Sequence, residues 1–331
     1  MREWALGVFG GNQPPRQIAR QVRPKRRIFN PSLCLLPMPT HFSHSPIRSF
    51  TNSLRSPHGR LLDLRQPQVM GILNVTPDSF YPGSRLGPAD EAALLHRAEA
   101  MLAAGAAALD VGGYSSRPGA DDISPDEEKG RLVPAIAALR REFPEAFISA
   151  DTFRASVAAE AVAAGADLVN DIGGGTLDAE MFATVARLQV PYCLMHIKGT
   201  PQTMRTLAHY DEDIVLTVLR FFRDQLAALR QANGGLAPAD VLLDPGFGFA
   251  KTPVHNHALL RRLPELAPLG HGLLVGLSRK AMVYKPLGLG PEAALNGTTA
   301  LHVLALQGGA RLLRVHDVAE ARQTIALVSA S

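Results

Sequence analysis

The sequence predicts an α/β protein, a closed (β/α)8 TIM barrel preceded by a disordered, basic N-terminal extension. Three observations predict it. From Arg60 to the C-terminus, short apolar runs alternate eight times with helix-period segments, the order of a parallel sheet covered by helices. The 331 residues accommodate a barrel of about 250 plus a head. A polar, pairable side chain stands at or just beyond the end of each apolar run, and a barrel gathers such positions on one rim.

Val69 to Leu73 opens the series as a buried strand, stopped at Asn74 by the turn residues Thr76, Pro77 and Asp78. Asp90 to Ala104 carries Leu94, Leu95, Ala98, Met101 and Leu102 at helical spacing before Gly105. Ala107 to Val111 is the second strand. Ser124-Pro125-Asp126-Glu127 is a capping box with proline at the first helical position, opening a helix through Arg140. Strands follow at Phe147–Ala150, Leu168–Val169, Tyr192–Met195, Val241–Leu243, Gly272–Gly276 and Ala310–Leu313. Helices are expected over Arg154–Ala164, Asp178–Arg187 and Asp211–Ala232, with further helical stretches after the later strands.

Charge divides the chain at its head. Residues 1–62 hold ten Lys/Arg and one acid, net +9; the remainder holds 24 basic and 29 acidic residues, net −5. The mildly acidic body gives no footing to a nucleic-acid partner, and no apolar run reaches the ~18 residues of a membrane helix. Residues 1–59 have no period and are rich in Arg, Pro and Ser, a disordered composition. They suit an organellar transit peptide, an upstream extension or an over-long start; a non-structural extension of a cytoplasmic protein is favoured, with the folded domain at 60–331. Cys34 and Cys193 have no zinc or redox spacing and fit a reducing compartment.

At successive strand ends come Asn74; Asp110, followed by Gly112, Gly113, Ser116 and Arg117; Asp151; Asn170-Asp171; His196; Asp244; Ser278-Arg279-Lys280; and Arg314 with His316. One Asp after a strand is usually a helix cap and one Asn a turn residue. Recurrence at eight ends exceeds what capping explains. The residue types also divide by task. Asp151, Asn170 and Asp244 suit a flat, NH-rich heterocycle, whose guanidine-like edge pairs with carboxylates. Arg314, His316 and Asn74 suit a polyanion or its metal, and Lys280 serves either half.

The segments Asn74-Val-Thr-Pro-Asp-Ser-Phe80, Asp110-Val-Gly-Gly-Tyr-Ser-Ser-Arg-Pro-Gly119, Asp151-Thr152, Asn170-Asp-Ile172, Leu194-Met-His-Ile-Lys-Gly-Thr-Pro201, Asp244-Pro-Gly-Phe-Gly-Phe249, Ser278-Arg-Lys280 and Arg314-Val-His-Asp317 together resemble the dihydropteroate synthase family of pterin-binding barrels. The resemblance runs in order from about Arg60 to the C-terminus. It implies condensation of 6-hydroxymethyl-7,8-dihydropterin diphosphate with 4-aminobenzoate, giving 7,8-dihydropteroate and pyrophosphate, with Mg²⁺ as cofactor and a homodimer as assembly. Carried over by position, Asp151, Asn170, Met195, Asp244 and Lys280 would bind the pterin. Asn74, Arg314 and His316 would hold the diphosphate, with Asn74 on the metal. Ser116, Arg117, Pro118, Phe249 and Ser278 would lie by the 4-aminobenzoate, with Lys280 beside them. Asp110 would stand near the departing diphosphate, and the catalytic set would be Asp110, Lys280, Arg314 and His316. The loops 76–85 and 116–118 would close over the second substrate. Tyr114 stands where the family commonly has Glu, and Ala250 where Gly is usual, which bears on loop geometry and the aminobenzoate.

Two other readings meet these residues less well. A methyltetrahydrofolate–corrinoid methyltransferase has no need of the Arg314/His316 clamp, and a non-catalytic pterin-binding paralogue would be expected to have lost that clamp or Lys280. Gly246-Phe-Gly248-Phe-Ala250-Lys251-Thr252 lacks Walker spacing. His255-Asn256-His257 is expected in a loop before a helix, Asp211-Glu212-Asp213 as acid at a helix N-terminus, and Gly173 to Gly175 as a tight turn.

Overall fold

The computed structural model describes residues 53–76, 88–115, 122–233 and 240–330. Eight parallel strands close into a barrel: β3 (Gln68–Asn74), β4 (Ala108–Gly112), β5 (Phe147–Asp151), β6 (Leu168–Asp171), β7 (Tyr192–Met195), β8 (Val241–Asp244), β9 (Gly272–Val275) and β10 (Ala310–Val315), which returns to β3. The expected (β/α)8 barrel is therefore the fold. Helices connect the strands on the outside: α1 (Pro88–Ala103), α2 (Pro125–Glu142), α3 (Ala155–Ala163), α4 (Met181–Leu188), α5 (Ile214–Ala232), α6 (Pro253–Arg261), the short α7 (Ala281–Tyr284), α8 (Leu295–Gln307) and α9 (Val318–Ala330).

Alternation along each strand sorts its side chains. Val69, Leu73, Leu109, Val111, Ile148, Ala150, Val169, Leu194, Leu243, Val275 and Leu313 face the helices in one large core. Residues of the other parity fill the barrel. Its lower layer is Met70, Ala108, Phe147, Leu168, Cys193, Leu242, Leu274 and Leu312, packed together. Two residues further up each strand the same parity reaches Ile72, Asp110, Ser149, Asn170, Met195, Asp244, Gly276 and Arg314, because strand side chains repeat every second residue.

A hairpin precedes the barrel and corrects the expected domain boundary. Ser53–Arg55 (β1) pairs antiparallel with Leu61–Asp63 (β2), so the division at 59/60 falls inside a folded unit. Leu54, Leu62 and Leu64 are buried against the lower layer and close that end of the barrel. Asp167 pins the hairpin: it accepts from Ser56 Oγ at 2.5 Å and Arg60 Nε at 2.9 Å, and also from Arg140 Nη2 at 2.6 Å and the Ile148 amide at 2.9 Å. Two runs of three residues are too short to show a period along the sequence.

Several boundaries move for local reasons. Asp178 lies outside α4 and accepts from the Ala155 and Glu180 amides, so that helix starts three residues later than expected. Asp213 caps α5, accepting from Val215 and Leu216 amides, which agrees with acid at that N-terminus. His255-Asn256-His257 is in α6 rather than before it: Thr252 and His255 form a capping box there. Gly174 and Gly175 take positive φ of 54° and 76°, and a Cβ on Gly174 would lie 2.3 Å from the Met195 carbonyl oxygen. The tight turn requires glycine.

Candidate active site

The upper interior layer is where the expected residues meet. Asp110 of β4 is wholly buried; Asn170 of β6 and Asp244 of β8 are nearly so. Asp110 Oδ2 accepts from the Arg314 Nε and from Asn170 Nδ2 at 3.1 Å, while Asp110 Oδ1 is buried with no hydrogen-bond partner among the described residues. Arg314 Nη2 donates to Asp151 Oδ2 at 2.6 Å. One guanidinium from β10 thus spans carboxylates on β4 and β5, 204 and 163 residues away in sequence.

Asp151, expected in the heterocycle half, and Arg314, expected in the anion half, form one ion pair, so the two halves share a wall. Ser278, expected beside the 4-aminobenzoate, exchanges hydrogen bonds with His316: its Oγ lies 3.1 Å from Nδ1 and accepts from the His316 amide at 3.3 Å. The neighbouring Arg279 is held bidentately by Asp317, at 2.8 and 2.7 Å.

Gly112 makes room between two of these groups. A Cβ there would sit 3.4 Å from Asp151 Oδ2 and 3.6 Å from Asn74 Oδ1, so both oxygens face one small space at the top of β3 to β5. On the other side of the mouth Ile172, Met195, Ile197, Met204 and Ala250 form a buried apolar cluster, with Phe153 and Phe249 packed on it. Lys280 Nζ donates to the Phe247 carbonyl at 2.5 Å and lies 4.6 Å from the centre of the Phe249 ring. An apolar shelf beside a buried set of carboxylates and cations is a place for a flat polar ring.

Burial shapes the charges. It pushes Asp151 up to about 7, opposed by Arg314 and reinforced by the Asp110 charge. It also raises Asp244, which Lys280 pulls back. Burial brings the Lys280 ammonium down to about 8, with Asp244 acting the other way. Arg314, although burial disfavours its charge, is held more firmly protonated by Asp110 and Asp151.

Two strand-end groups face outward and serve structure. Asp171 accepts from the Tyr192 hydroxyl and from the Gly173 and Gly175 amides. His196 points away from the slot to Lys251, 2.7 Å from Nδ1 to Nζ. Lys251 carries no strand-end signal in the sequence, and its segment lacks Walker spacing, so only the folded chain shows its contact with His196. Tyr114, the departure in the second loop, packs edge-on to Phe153 at 5.1 Å and donates to Asp122 at 3.2 Å; Arg154 covers both rings. Ala250 adopts φ 49°, a left-handed conformation costing about 1 kcal/mol for a residue with a Cβ and one that glycine takes without strain. Ser116, Arg117, Pro118 and loop residues 77–85 lie outside the described residues.

The barrel and its polar mouth define a class, and the sequence profile of the family described as "Pterin binding enzyme" matches residues 70–316. The chain belongs to that family. Within it the similarity is to dihydropteroate synthases. The Escherichia coli (strain K12) enzyme is 43% identical over 277 residues, covering 82% of this chain and 94% of that one. The Synechocystis enzyme is 46% identical over 255 residues, covering 77% and 86%. Among solved structures, Yersinia pestis dihydropteroate synthase in a sulfonamide drug complex superposes with TM-score 0.76 at 42% identity, covering 84% of this chain and 98% of that one. The Xanthomonas albilineans enzyme with 4-aminobenzoic acid does so with TM-score 0.76 at 40% identity, covering 84% and 97%.

Proposed function

We propose that this chain is a transferase of folate biosynthesis that joins 6-hydroxymethyl-7,8-dihydropterin diphosphate to 4-aminobenzoate, releasing pyrophosphate and 7,8-dihydropteroate. The observation that carries this is the single slot in which Asp110, Asp151, Asn170 and Asp244 meet Arg314, with Lys280 at its edge. Asp244, Asn170 and the free oxygen of Asp110 offer acceptors and an amide to the ring's N–H edge, while the Met195 and Phe249 shelf takes its face. Arg314 and His316 face the diphosphate.

In the reaction the methylene C–O bond breaks and its electron pair leaves with the diphosphate. The ring nitrogen's lone pair stabilises the methylene cation that remains. The arylamine nitrogen then forms the C–N bond, and its proton passes to solvent or to the departed anion. The protein's part is to neutralise the leaving charge with Arg314, hold the ring by its acceptors, and keep water from the cation. Lys280 adds positive charge over the same mouth.

Asn74 Oδ1, facing the space at Gly112, is a hard oxygen of the kind that Mg²⁺ takes when it keeps waters and substrate phosphate oxygens as its other ligands. A single amide oxygen fits an ion that takes its other ligands from water and the diphosphate. Bound there, Mg²⁺ would offset charge on the leaving group, with Asn74 as its ligand from the protein. A cytoplasmic homodimer is part of the same reading. Leu287, Leu289 and Leu304 are exposed and supply apolar surface for a second copy; a monomer by sedimentation at micromolar concentration would overturn that part.

Purified protein should release pyrophosphate when given the pterin diphosphate and Mg²⁺, and form dihydropteroate when 4-aminobenzoate is added. Folded protein that does neither would refute the reaction. A pH effect is also expected. Asp151 takes up a proton below about 7 and then loses its charge toward the ligand's N–H donors. Pterin affinity should therefore fall as pH drops below that value, approaching about tenfold per unit. Calorimetric titrations between pH 5.5 and 8.5 check this, and a flat profile would count against Asp151 as a contact. Without ligand the sign is opposite: a raised carboxyl favours folding when protonated, and that contribution is lost as pH rises through about 7.

A further inference from the structure

Lys251 is a buried cation that the mechanism above does not use. Its Nζ lies 2.7 Å from His196 Nδ1, 3.0 Å from the Gly246 carbonyl oxygen, 3.1 Å from that of Phe249 and 3.3 Å from that of His196. Gly246 and Phe249 are the two ends of the turn that leaves β8, closed by the Phe249 amide donating to Gly246 at 3.1 Å. Between them, the Phe247 carbonyl accepts from Lys280 Nζ. Phe249 presents its ring to the same ammonium.

The turn has little freedom to hold this shape by itself. Gly246, Gly248 and Ala250 all have positive φ, at 69°, 84° and 49°. A Cβ on Gly246 would lie 2.0 Å from the His196 carbonyl oxygen, so the turn is pressed on the β7 loop at the point that Lys251 bridges. Asn256 secures the far side, accepting from the Gly248 amide at 2.8 Å and donating to the Lys251 carbonyl at 3.1 Å.

We infer that Lys251 is a positioning residue for the proposed reaction: by clamping both ends of the turn 246–249 to the β7 loop, it aims the Phe247 carbonyl and the Phe249 ring that hold Lys280 over the slot. The inference rests on the reaction proposed above and extends it to a residue that touches neither substrate. The clamp works in either protonation state. As an ammonium, Lys251 donates to the Nδ1 lone pair; as an amine, it donates to the two turn carbonyls and accepts from an Nδ1–H, since burial holds His196 well below its usual range and keeps its ring neutral. Lys280 itself is faced by Asp244 from β8, Arg314 from β10, Asp151 from β5 and Lys251.

Lys251→Met, which keeps the stem and removes the donors, is the test. Expected are a fall in kcat/KM of about tenfold or more and an upward move of the alkaline limb set by Lys280, as that ammonium escapes its buried perch. In a Lys280→Met background the second substitution should cost no more than about twofold further, since a residue acting through another is non-additive with it. A variant that melts earlier but keeps kcat/KM and the alkaline limb within error would make Lys251 structural only. Full additivity with Lys280→Met would do the same. Should Lys251→Met fail to fold, His196→Gln weakens the same clamp and is read by the same two outcomes. Wild-type turnover is measured first: if it is absent, the proposed reaction fails. The Lys280 titration, followed by carbon NMR of labelled lysine in both proteins, still decides the clamp.

Discussion

Replacing Arg314 with methionine is expected to lower turnover by about 10²–10³-fold, the scale on which removing one preorganised charge from a site costs catalysis. The same change should destabilise the fold by about 3–5 kcal/mol, because it leaves two buried carboxylates without their partner. Arg314 donates to Asp110 and to Asp151, and those charges would then face each other. Burial already raises Asp151; without the guanidinium it should rise further, as a like charge nearby disfavours ionisation. A raised carboxyl loses its stabilising contribution as pH increases, so the variant should unfold at lower denaturant at pH 8 than at pH 6. The ion pair to Asp151 also changes what binding should show. A residue reserved for the diphosphate would leave free pterin untouched. Here both ligands should weaken, the diphosphate the more strongly, since it loses the direct partner while the pterin loses only the set of Asp151. Calorimetry with each ligand separates the cases, and equal losses would remove Arg314 from the anion contact.

Removing the hairpin should have the second large effect, on folding rather than chemistry. A chain starting at residue 53 should fold and turn over normally, whereas one starting at 66 should be recovered largely as aggregate. The difference is Leu54, Leu62 and Leu64, which cover Met70, Phe147, Leu242 and Leu312 at the base of the barrel. Leu54, with no exposed surface, should alone cost about 2–5 kcal/mol when changed to alanine, the transfer term plus the cavity. The site lies at the other end of the strands, so activity per folded molecule should be unchanged. Normal stability in the shorter chain would show the hairpin to be dispensable.

The strands and most helices were legible because their signals are local. Apolar runs of four or five residues, Gly105 and Gly165 after helices, and the capping box at Ser124 each act within a few positions. The site residues were legible for a related reason. Once Met70 or Ala108 faces the barrel interior, the two-residue period carries Asn74 and Asp110 there too. Asp171 and His196 show the limit of the strand-end signal: they stand as close to strand ends as Asn170 and Met195 do, but one step in parity turned them outward to Tyr192 and Lys251.

From sequence alone come the barrel, the rim on which Asp110, Asp151, Asn170, Asp244 and Arg314 gather, and the acidic body behind a basic head. Only the tertiary structure decides that Arg314 bridges Asp110 and Asp151, that Lys251 braces the turn beneath Lys280, and that a hairpin closes the barrel floor. Periodicity is written in neighbouring residues, so it can be read along the chain. The choice of partner for a buried charge is made across the barrel, between groups that no local pattern brings together.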